Sequence, residues 1–327
     1  MKTQATFLTA SLGFLRASAK DLLTVQALPR RDVTRLLDLA VALKASRRRG
    51  QSPLWLAGQT LGLFFEKPST RTRVSFEAGM AQLGGQSLFL SAKDIQVSRG
   101  ETIADTARVL SRYLDGLVVR TYDHALVEEW AAAATIPVIN GLTDHDHPCQ
   151  ALSDLQTILE HRGRVKGVKL AYVGDGNNVA HSLIEAAAKV GMTISLGCPA
   201  AFQPDPVIVD LARAEAKLTG GSIEVTDDPA VAVKEADAVY TDVWISMGRE
   251  REQARRLRIL APYQVNERLL RHARSDAIVL HCLPAHRGQE IAAAVMDSPR
   301  SAILDQAENR LHMQKAILLG LLGRKKH

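Results

Sequence analysis

The sequence predicts an α/β fold of two domains, each a parallel sheet flanked by helices. Short apolar runs alternate with segments whose apolar residues recur at helical spacing. A polar bridge, Glu160 to Lys169, interrupts this alternation, which then resumes. The 327 residues, 46% hydrophobic and 23% charged, are sufficient for two globular cores. Strands that alternate with helices form parallel sheets through right-handed crossovers.

The first series opens with a helical pattern and then alternates strands with helices. In chain order we predict helix 21–45, strand 61–65, a helix from about Thr72 to Gly84, strand 85–90, helix 101–114, strand 117–120, helix 125–134, strand 137–140 and a helix reaching about His161.

The second series repeats the pattern, and the joint between the two lies near Leu155. We predict strand 170–173, helix 179–190, strand 193–198, helix 206–217, strand 222–225, helix 229–236, strand 238–241, helix 265–273 and strand 277–281. The basic segment Arg249 to Arg258 is interpreted as a solvated face. A last helix, 307–322, is expected to pack back onto the first domain. The predicted domains are therefore 1–154 with 307–327, and 155–306.

A cluster of hydroxyl and guanidinium groups follows the first strand. Ser69 to Thr72 lie at the predicted start of a helix, where unpaired backbone N–H groups and the helix dipole favour an anion. Arg71 and Arg73 add positive charge, which opposes the dipole unless an anion is bound. Capping by Ser69 with two solvated arginines is the alternative interpretation. The stretch therefore predicts a phosphate site.

Other polar residues also follow predicted strands. Arg120 and the segment His147 to Gln150 do so in the first series, and ligands of parallel sheets collect at the carboxyl ends of strands. In the second series Asp242 follows a strand and suits an ammonium group, although a lone Asp more often caps a turn. Cys282 ends another strand, where a cysteine is usually a small buried hydrophobe.

Several other classes of protein have little support. Gly174 and Gly176 half-match a dinucleotide fingerprint, but Val179 stands where its third glycine belongs. No G-x-S-x-G segment suggests a hydrolase. The net charge of +6 comes from basic runs without interleaved aromatic residues, which disfavours nucleic acid. We expect no nucleic-acid partner and no membrane span.

The cysteines and the opening segment bear on location. Cys149, Cys198 and Cys282 show no C-x-x-C spacing, which argues against zinc and fits a reducing compartment. Met1 to Lys20 faintly resembles a transit peptide, but Arg16 is its only arginine. We therefore expect a frayed extension and a cytoplasmic protein.

Four segments together resemble the aspartate/ornithine carbamoyltransferase family, in order between about Asp21 and about Leu322. The first two are typical of the whole family, whereas the last two resemble its ornithine branch. They are Phe65 to Arg73, His147 to Gln150, Asp242 to Gly248 and His281 to Pro284.

The resemblance implies an active site in the cleft between two domains. It implies that carbamoyl phosphate binds Ser69, Thr70, Arg71, Thr72, Gln96, Arg120, His147, Gln150, Cys282, Leu283 and Arg310, and that L-ornithine binds Asn178, Asp242, Ser246 and Met247. Gln96 matches a position that reaches a neighbouring subunit, which implies a homotrimer or a multiple of trimers. The catalytic residues implied are Arg71, Arg120, His147, Asp242 and Cys282.

The implied reaction transfers a carbamoyl group from carbamoyl phosphate to the δ-amine of L-ornithine, as in arginine biosynthesis or the urea cycle. It needs no metal or organic cofactor, because holding two substrates in attack geometry supplies much of the catalysis. Asp242 with Cys282 is one candidate proton acceptor, and the substrate phosphate is another. Putrescine, N-acetylornithine and aspartate are rival acceptors, and a non-catalytic regulatory or nucleic-acid-binding homologue is the rival class.

Overall fold

The structure, a computed structural model, describes residues 11–246 and 250–324. The described chain divides into two compact units. Unit 1 comprises residues 11–156 and 309–324, and unit 2 comprises residues 157–246 and 250–308. No helix among the described residues is both long enough and apolar enough to span a membrane.

Unit 1 contains a four-stranded parallel sheet with the strand order β2-β1-β3-β4. Its strands are β1 (Thr60–Phe65), β2 (Gln86–Ser91), β3 (Gly116–Arg120) and β4 (Val138–Leu142). Its helices are α1 (Arg30–Arg48), α2 (Thr70–Gln82), α3 (Ile103–Leu110), α4 (His124–Ala133) and α5 (Pro148–Arg162), the last of which continues into unit 2.

One hydrophobic cluster of unit 1 joins the sheet to α4. Phe64 of β1 and Trp130 of α4 are fully buried, with ring centroids 5.0 Å apart. Val119 of β3 belongs to the same cluster. Removing a buried aromatic side chain of this size typically costs about 3–5 kcal/mol, so this contact contributes strongly to the stability of the sheet.

Residues 11–20 correct the expectation of a frayed extension. Leu12 and Leu15 are buried, and the Gly13 N–H donates to the Leu319 carbonyl at 2.9 Å. The Arg16 guanidinium donates to the carbonyls of Leu321 and Leu322 at 2.6 and 2.7 Å, which satisfies the open end of the last helix. Residues 1–10 lie outside the described part of the chain.

Unit 2 contains a five-stranded parallel sheet with the order β7-β6-β5-β8-β9. Its strands are β5 (Lys169–Val173), β6 (Thr193–Gly197), β7 (Ser222–Thr226), β8 (Ala238–Thr241) and β9 (Ile278–His281). Its helices are α6 (Asn178–Val190), α7 (Pro206–Thr219), α8 (Pro229–Val233), α9 (Gln253–Leu260), α10 (Glu267–Leu270) and α11 (Ala293–Met296). The last helix, α12 (Ile303–Leu322), is divided between the units at Glu308 and Asn309.

The predicted fold class is confirmed by two parallel sheets flanked by helices. The main errors concern helix limits. The first helix begins at Arg30 rather than near Asp21, because Pro29 in an extended conformation precedes it and Leu22 forms a bridge to Ile139 of β4. Helix α9 inside the basic segment was not predicted, and α12 begins four residues earlier than expected.

Each sheet has a topological switch point, which is the place where the connections that leave two adjacent strands run in opposite directions across the sheet. In unit 1 the switch lies between β1 and β3, and in unit 2 between β5 and β8. Ligands of open parallel sheets bind at the carboxyl ends of strands at such points. Ser69 and Arg120 lie there in unit 1, as do Asn177 and Asp242 in unit 2.

Candidate active site

The predicted site residues of unit 1 begin at the N-terminus of α2. Ser69 is the N-cap residue, and its hydroxyl oxygen accepts from the Thr72 N–H at 3.2 Å. Ser69 therefore caps α2, as the alternative interpretation predicts. Ser69 Oγ also lies 3.1 Å from Thr72 Oγ1, so the two hydroxyls are held together on the first turn.

Arg310 of the last helix joins the strand-end residues into one cluster. Its guanidinium donates to Thr72 Oγ1 at 2.8 Å and to Gln150 Oε1. The Gln150 amide in turn donates to Asp154 Oδ1 at 2.7 Å. Arg120, opposite Phe65 in the β1–β3 register, places its guanidinium 3.5 Å from the same Thr72 hydroxyl. Two buried arginines therefore converge on one threonine.

His147 lies in the same cluster as a neutral donor–acceptor group. Burial lowers the pKa of His147 well below its ordinary value, and the charges of Arg310, Arg120 and Arg71 lower it further. Arg310 NH1 lies 3.3 Å from His147 Nε2. An arginine can only donate, so Nε2 accepts and the ring proton lies on Nδ1. The three cations that surround this ring form a cradle suited to a multiply charged anion.

Arg73 does not contribute to this cradle, although it stands only two residues from Arg71. Its guanidinium pairs with Glu77 at 2.9 Å and stacks on the Phe89 ring, 3.7 Å from the centroid. Among the described residues the hydrogen-bonded set also leaves out the half-buried Arg71, which acts on His147 through its charge. It leaves out Thr70 and Gln96 as well, whose side chains are exposed. Gln96 begins a short 3-10 helix, Gln96–Arg99.

The predicted site residues of unit 2 centre on Asp242, which directly follows β8. The adjacent strand β9 is in register so that Thr241 pairs with His281, and the next residues are Asp242 and Cys282. The Cys282 thiol donates to Asp242 Oδ1 at 2.9 Å. Asp242 and Cys282, predicted from separate segments, are therefore in direct contact because of strand register.

Asn177 is not among the predicted site residues, although its neighbour Asn178 is, and it is a central contact of the unit 2 cluster. Its Oδ1 caps α6 by accepting from the N–H groups of Val179 and Ala180 at 3.0 and 3.3 Å. Its Nδ2 donates to Asp242 Oδ2 at 2.8 Å. Asp242 thus receives one hydrogen bond on each oxygen. The helix cap and the carboxylate orientation depend on the same amide.

A buried ion pair supports the segment after Asp242. Arg256 of α9 binds Asp175 at 2.7 Å and donates to the Trp244 carbonyl at 3.0 Å. The solvated-face interpretation is therefore wrong for Arg256, which is 7% exposed. Ser246, half-buried, is the last described residue of this segment. Met247 lies outside the described residues.

Leu283 and Asn178, the remaining predicted site residues, border this group. The Leu283 N–H donates to His281 Nδ1 at 2.8 Å, while His281 Nε2 lies 3.1 Å from Glu290 Oε1. Leu283 has φ of 59°, a left-handed conformation that a leucine adopts only when its surroundings impose it. Asn178 is half-buried at the first residue of α6.

The glycines between β5 and α6 have a packing explanation. A Cβ atom on Gly176 would lie 2.3 Å from the Pro204 nitrogen, and the Gly176 N–H donates to the Phe202 carbonyl at 2.8 Å. Close approach of two backbone segments therefore requires glycine at position 176. Backbone packing within unit 2 therefore accounts for this glycine without a dinucleotide.

Two family models match most of the chain. The aspartate/ornithine carbamoyltransferase carbamoyl-P binding domain matches residues 20–160. The aspartate/ornithine carbamoyltransferase Asp/Orn binding domain matches residues 166–321. The chain belongs to the aspartate/ornithine carbamoyltransferase family.

Relatives within this carbamoyltransferase family are similar over nearly their whole length. The ornithine carbamoyltransferase of Anoxybacillus flavithermus is 54% identical, across 94% of this chain and 98% of the relative. The anabolic ornithine carbamoyltransferase of Pyrococcus furiosus is 52% identical, across 94% and 97%. The solved structure from Pyrococcus furiosus has a TM-score of 0.91 over 93% of this chain and 97% of that chain. That from Gloeobacter violaceus, 50% identical, has a TM-score of 0.84 over 93% and 99%.

Family membership confirms the resemblance on which the site residues were predicted. Some residues of the carbamoyltransferase motifs are hydrogen-bonded to one another in the structure, and others are not. One hydrogen-bonded cluster in unit 1 and one in unit 2 contain most of them: Ser69, Thr72, Arg120, His147, Gln150 and Arg310, and Asp242 with Cys282. Asn177 could have been found from its place at a helix N-cap beside the predicted ligand Asn178.

Proposed function

We propose that the chain transfers the carbamoyl group of carbamoyl phosphate to the δ-amine of L-ornithine, giving L-citrulline and phosphate. The observation that carries this proposal is the convergence of Arg120, Arg310 and Gln150 with Thr72 and His147 at the end of a helix dipole. The ornithine carbamoyltransferases that are 52–56% identical supply the specific reaction. The site is accordingly that of a carbamoyl-group transferase.

The unit 1 cradle suits both ends of carbamoyl phosphate. Its phosphate carries two negative charges near neutral pH and accepts hydrogen bonds, which the α2 N-terminus with Ser69, Thr72 and Arg71 can donate. The carbamoyl oxygen becomes negative as the carbonyl is attacked, and donors fixed before the reaction stabilise that charge. Arg120 and the neutral imidazole of His147 have the required chemistry. A neutral donor stabilises the oxyanion without adding another charge to the cradle.

Chemical transfer requires one bond to form as another breaks. The δ-nitrogen of ornithine attacks the carbamoyl carbon, and the bond from that carbon to the phosphate oxygen breaks as phosphate leaves. The attacking nitrogen must first be unprotonated, although an alkyl ammonium has a pKa of about 10.4. Arg71, Arg120 and Arg310 neutralise charge on the departing phosphate, which makes it a better leaving group.

Asp242 and Cys282 are the proposed acceptors of the ornithine proton. The thiol donates to one carboxylate oxygen, so the carboxylate carries the negative charge of the pair. A carboxylate held by a thiol and an amide is a preorganised partner for a substrate ammonium group. The substrate phosphate is the competing acceptor. Asn178, Ser246 and Met247 remain the proposed ligands of the rest of ornithine.

The predicted domain limits, 1–154 with 307–327 and 155–306, are retained as the carbamoyl phosphate and ornithine domains. We also propose a homotrimer in which Gln96, exposed within the single chain, reaches a neighbouring subunit. A measured solution mass of three chains, or of a multiple of three, would support this assembly. Three free cysteines support a cytoplasmic location.

A citrulline assay with the purified protein tests the proposed reaction. Carbamoyl phosphate is supplied with ornithine, putrescine, N-acetylornithine or aspartate, and ureido product and phosphate are measured together. We expect equal amounts of citrulline and phosphate with ornithine and much slower reaction with the other acceptors. Absence of ornithine-dependent citrulline contradicts the proposal. Efficient use of another acceptor would retain the transferase and change its substrate.

A further inference from the structure

A group of potential metal ligands lies outside both halves of the described site. His124, His145 and Asp146 each offer a ligand atom, and these atoms lie within 4.8 Å of one another. His124 begins α4 after β3, while His145 and Asp146 follow β4. Strands β3 and β4 are parallel neighbours, so their carboxyl ends bring these two loops together. The fold, rather than sequence proximity, assembles the group.

The geometry is close to that of a metal site. The imidazole centroids of His124 and His145 are 5.0 Å apart, and His145 Nδ1 lies 2.6 Å from Asp146 Oδ2. Neighbouring ligand atoms around a tetrahedral zinc ion are about 3.3 Å apart, given metal–ligand distances of about 2.0 Å. His145 Nδ1 and Asp146 Oδ2 are hydrogen-bonded to each other, so an ion bound through both atoms replaces this bond and moves them apart by less than about 1 Å. Asp146 is buried whereas His145 is exposed, so the group opens to solvent on one side.

Negative charge around His124 favours a cation. Burial lowers the pKa of His124 most, and His145 also lowers it, whereas the nearby carboxylates of Asp146, Glu128 and Asp123 oppose that shift. Glu128 Oε1 lies 4.0 Å from His124 Nε2, near enough to reach an ion by a rotamer change. Two imidazoles and a carboxylate form a donor set that suits first-row divalent transition metals better than calcium or magnesium.

Thr143 holds the β4 loop in this arrangement. Its hydroxyl oxygen accepts from the N–H groups of His145 and Asp146 at 3.3 and 3.1 Å, and lies 3.0 Å from His124 Nδ1. Hydrogen bonds from neighbouring groups to ligand residues orient them for a metal. One side chain therefore positions the His124 ring and the backbone of His145 and Asp146.

We propose that His124, His145 and Asp146 bind a divalent transition-metal ion, with Zn²⁺ the best-matched species. Water or Glu128 completes the coordination. Asp146 directly precedes His147, so the bound ion holds the backbone beside the carbamoyl phosphate cradle. This inference does not depend on the proposed acceptor specificity.

A second group of potential ligands, Asp242, His281 and Cys282, must be separated from this one. It belongs to the ornithine half already described, and both ring nitrogens of His281 face other groups, the Leu283 N–H and Glu290. A thiolate ligand gives Co²⁺ an intense near-ultraviolet charge-transfer band, whereas imidazole and carboxylate ligands give only weaker visible bands. Cobalt absorbance therefore distinguishes the two groups.

The test titrates the full-length Cys282→Ser protein with Co²⁺ and then displaces the cobalt with Zn²⁺. We expect visible bands that saturate at one equivalent, and an affinity lowered roughly tenfold or more by His145→Gln. His286→Gln is the matched control, because His286 is also an exposed histidine beside a carboxylate. We expect it to leave the affinity unchanged.

His124→Gln provides a second loss variant, and circular dichroism checks that each protein is folded. Lack of saturable cobalt bands in the Cys282→Ser protein would overturn the proposal. Unchanged affinity in both folded histidine variants would also overturn it. The ion would instead be assigned to the group Asp242, His281 and Cys282 on two conditions. The parent protein would bind cobalt and Cys282→Ser would not, and the His124→Gln and His145→Gln substitutions would leave binding unchanged.

Discussion

Unit 1 gathers three arginine charges around one neutral imidazole, whereas unit 2 places one carboxylate between a thiol and an amide. Buried like charges repel one another, so the unit 1 cluster gains most when an anion neutralises it. The unit 2 carboxylate already receives two hydrogen bonds, which fix its direction more than its charge. We infer that charge dominates the binding of carbamoyl phosphate, whereas the use of ornithine depends on both the charge and the direction of one carboxylate.

The largest expected effect comes from removing one cation of unit 1. Arg71→Ala is expected to lower kcat/KM for carbamoyl phosphate on the order of a hundredfold or more, because a charge facing the anion is lost. Arg73→Ala is the matched control on the same helix turn. Its guanidinium pairs with Glu77 and Phe89, so activity should stay within about twofold. Initial rates over a range of carbamoyl phosphate concentrations measure both, and equal losses would contradict the distinction.

A smaller effect, confined to ornithine, is expected from the carboxylate of unit 2. Asp242→Asn keeps the shape but removes the charge, and should lower kcat/KM for ornithine about a hundredfold. Cys282→Ser retains a hydroxyl donor for Asp242 and should cost only about tenfold. Carbamoyl phosphate affinity, measured by binding without ornithine, should change little in Asp242→Asn. Full turnover by Asp242→Asn would favour the substrate phosphate as proton acceptor.

Asn177 offers a way to separate helix capping from carboxylate orientation. Asn177→Ser keeps a good N-cap for α6 but is too short to reach Asp242, so stability should change by less than about 1 kcal/mol. We expect kcat/KM for ornithine to fall roughly tenfold through loss of one hydrogen bond to a charged group. Asn177→Ala removes both contacts and should lower stability as well. Urea unfolding and ornithine kinetics are measured for both variants. Equal kcat/KM values with unequal free energies of unfolding would show that helix capping and carboxylate orientation are separate roles of Asn177.

The smallest expected effect concerns Lys315, a buried cation of unit 1 that lies outside the anion cradle. It tests whether burying this charge lowers the free energy of unfolding. Burial, with a smaller contribution from Arg47, lowers the pKa of Lys315 to about 8. The unfolded chain binds more protons than the folded chain between that pKa and about 10.4, so stability should rise with pH across this interval. Lys315→Met should therefore be more stable by about 1 kcal/mol near pH 7, allowing for partial screening.

Urea unfolding at pH 7 and at about pH 10 measures this difference. The advantage of Lys315→Met should shrink at the higher pH, where the native lysine is already neutral. Lys93→Met is the control, because Lys93 is exposed and should show no such trend. A pH-independent difference for Lys315→Met would attribute the effect to packing or to the lost hydrogen bond with Gln82.

The sheets were predictable because apolar runs and helix signals repeat along the chain. The helix that begins at Asn178 follows its cap, and β8 occupies the predicted residues. The limits of α9 were not predictable, because Arg255, Arg256 and Arg258 obscure its short apolar stripe. Arg256 is buried because its guanidinium pairs with Glu252 in the preceding turn and with Asp175, which is distant in sequence.

The site was predictable wherever a motif itself carried the chemistry. Family resemblance supplied Arg310, which no local pattern distinguishes from other arginines of the chain. Contacts between distant residues, such as Asn177 with Asp242, depend on strand order and register, which the sequence pattern leaves open. The same limit applies to Arg73, since only the folded helix shows that Glu77 and Phe89 occupy its guanidinium.

The hydrogen bond from Arg310 to Thr72 joins residues 238 positions apart. An N-terminal fragment that lacks α12 would therefore have an incomplete anion cradle, even if its sheet were formed. A ligand that binds only the completed state stabilises that state by mass action. Bound carbamoyl phosphate should consequently hold the last helix in place. It should slow hydrogen exchange in that helix and the detachment of the helix from the rest of unit 1. The concentration of carbamoyl phosphate and the unfolding rate of the chain are therefore linked through the Arg310 guanidinium.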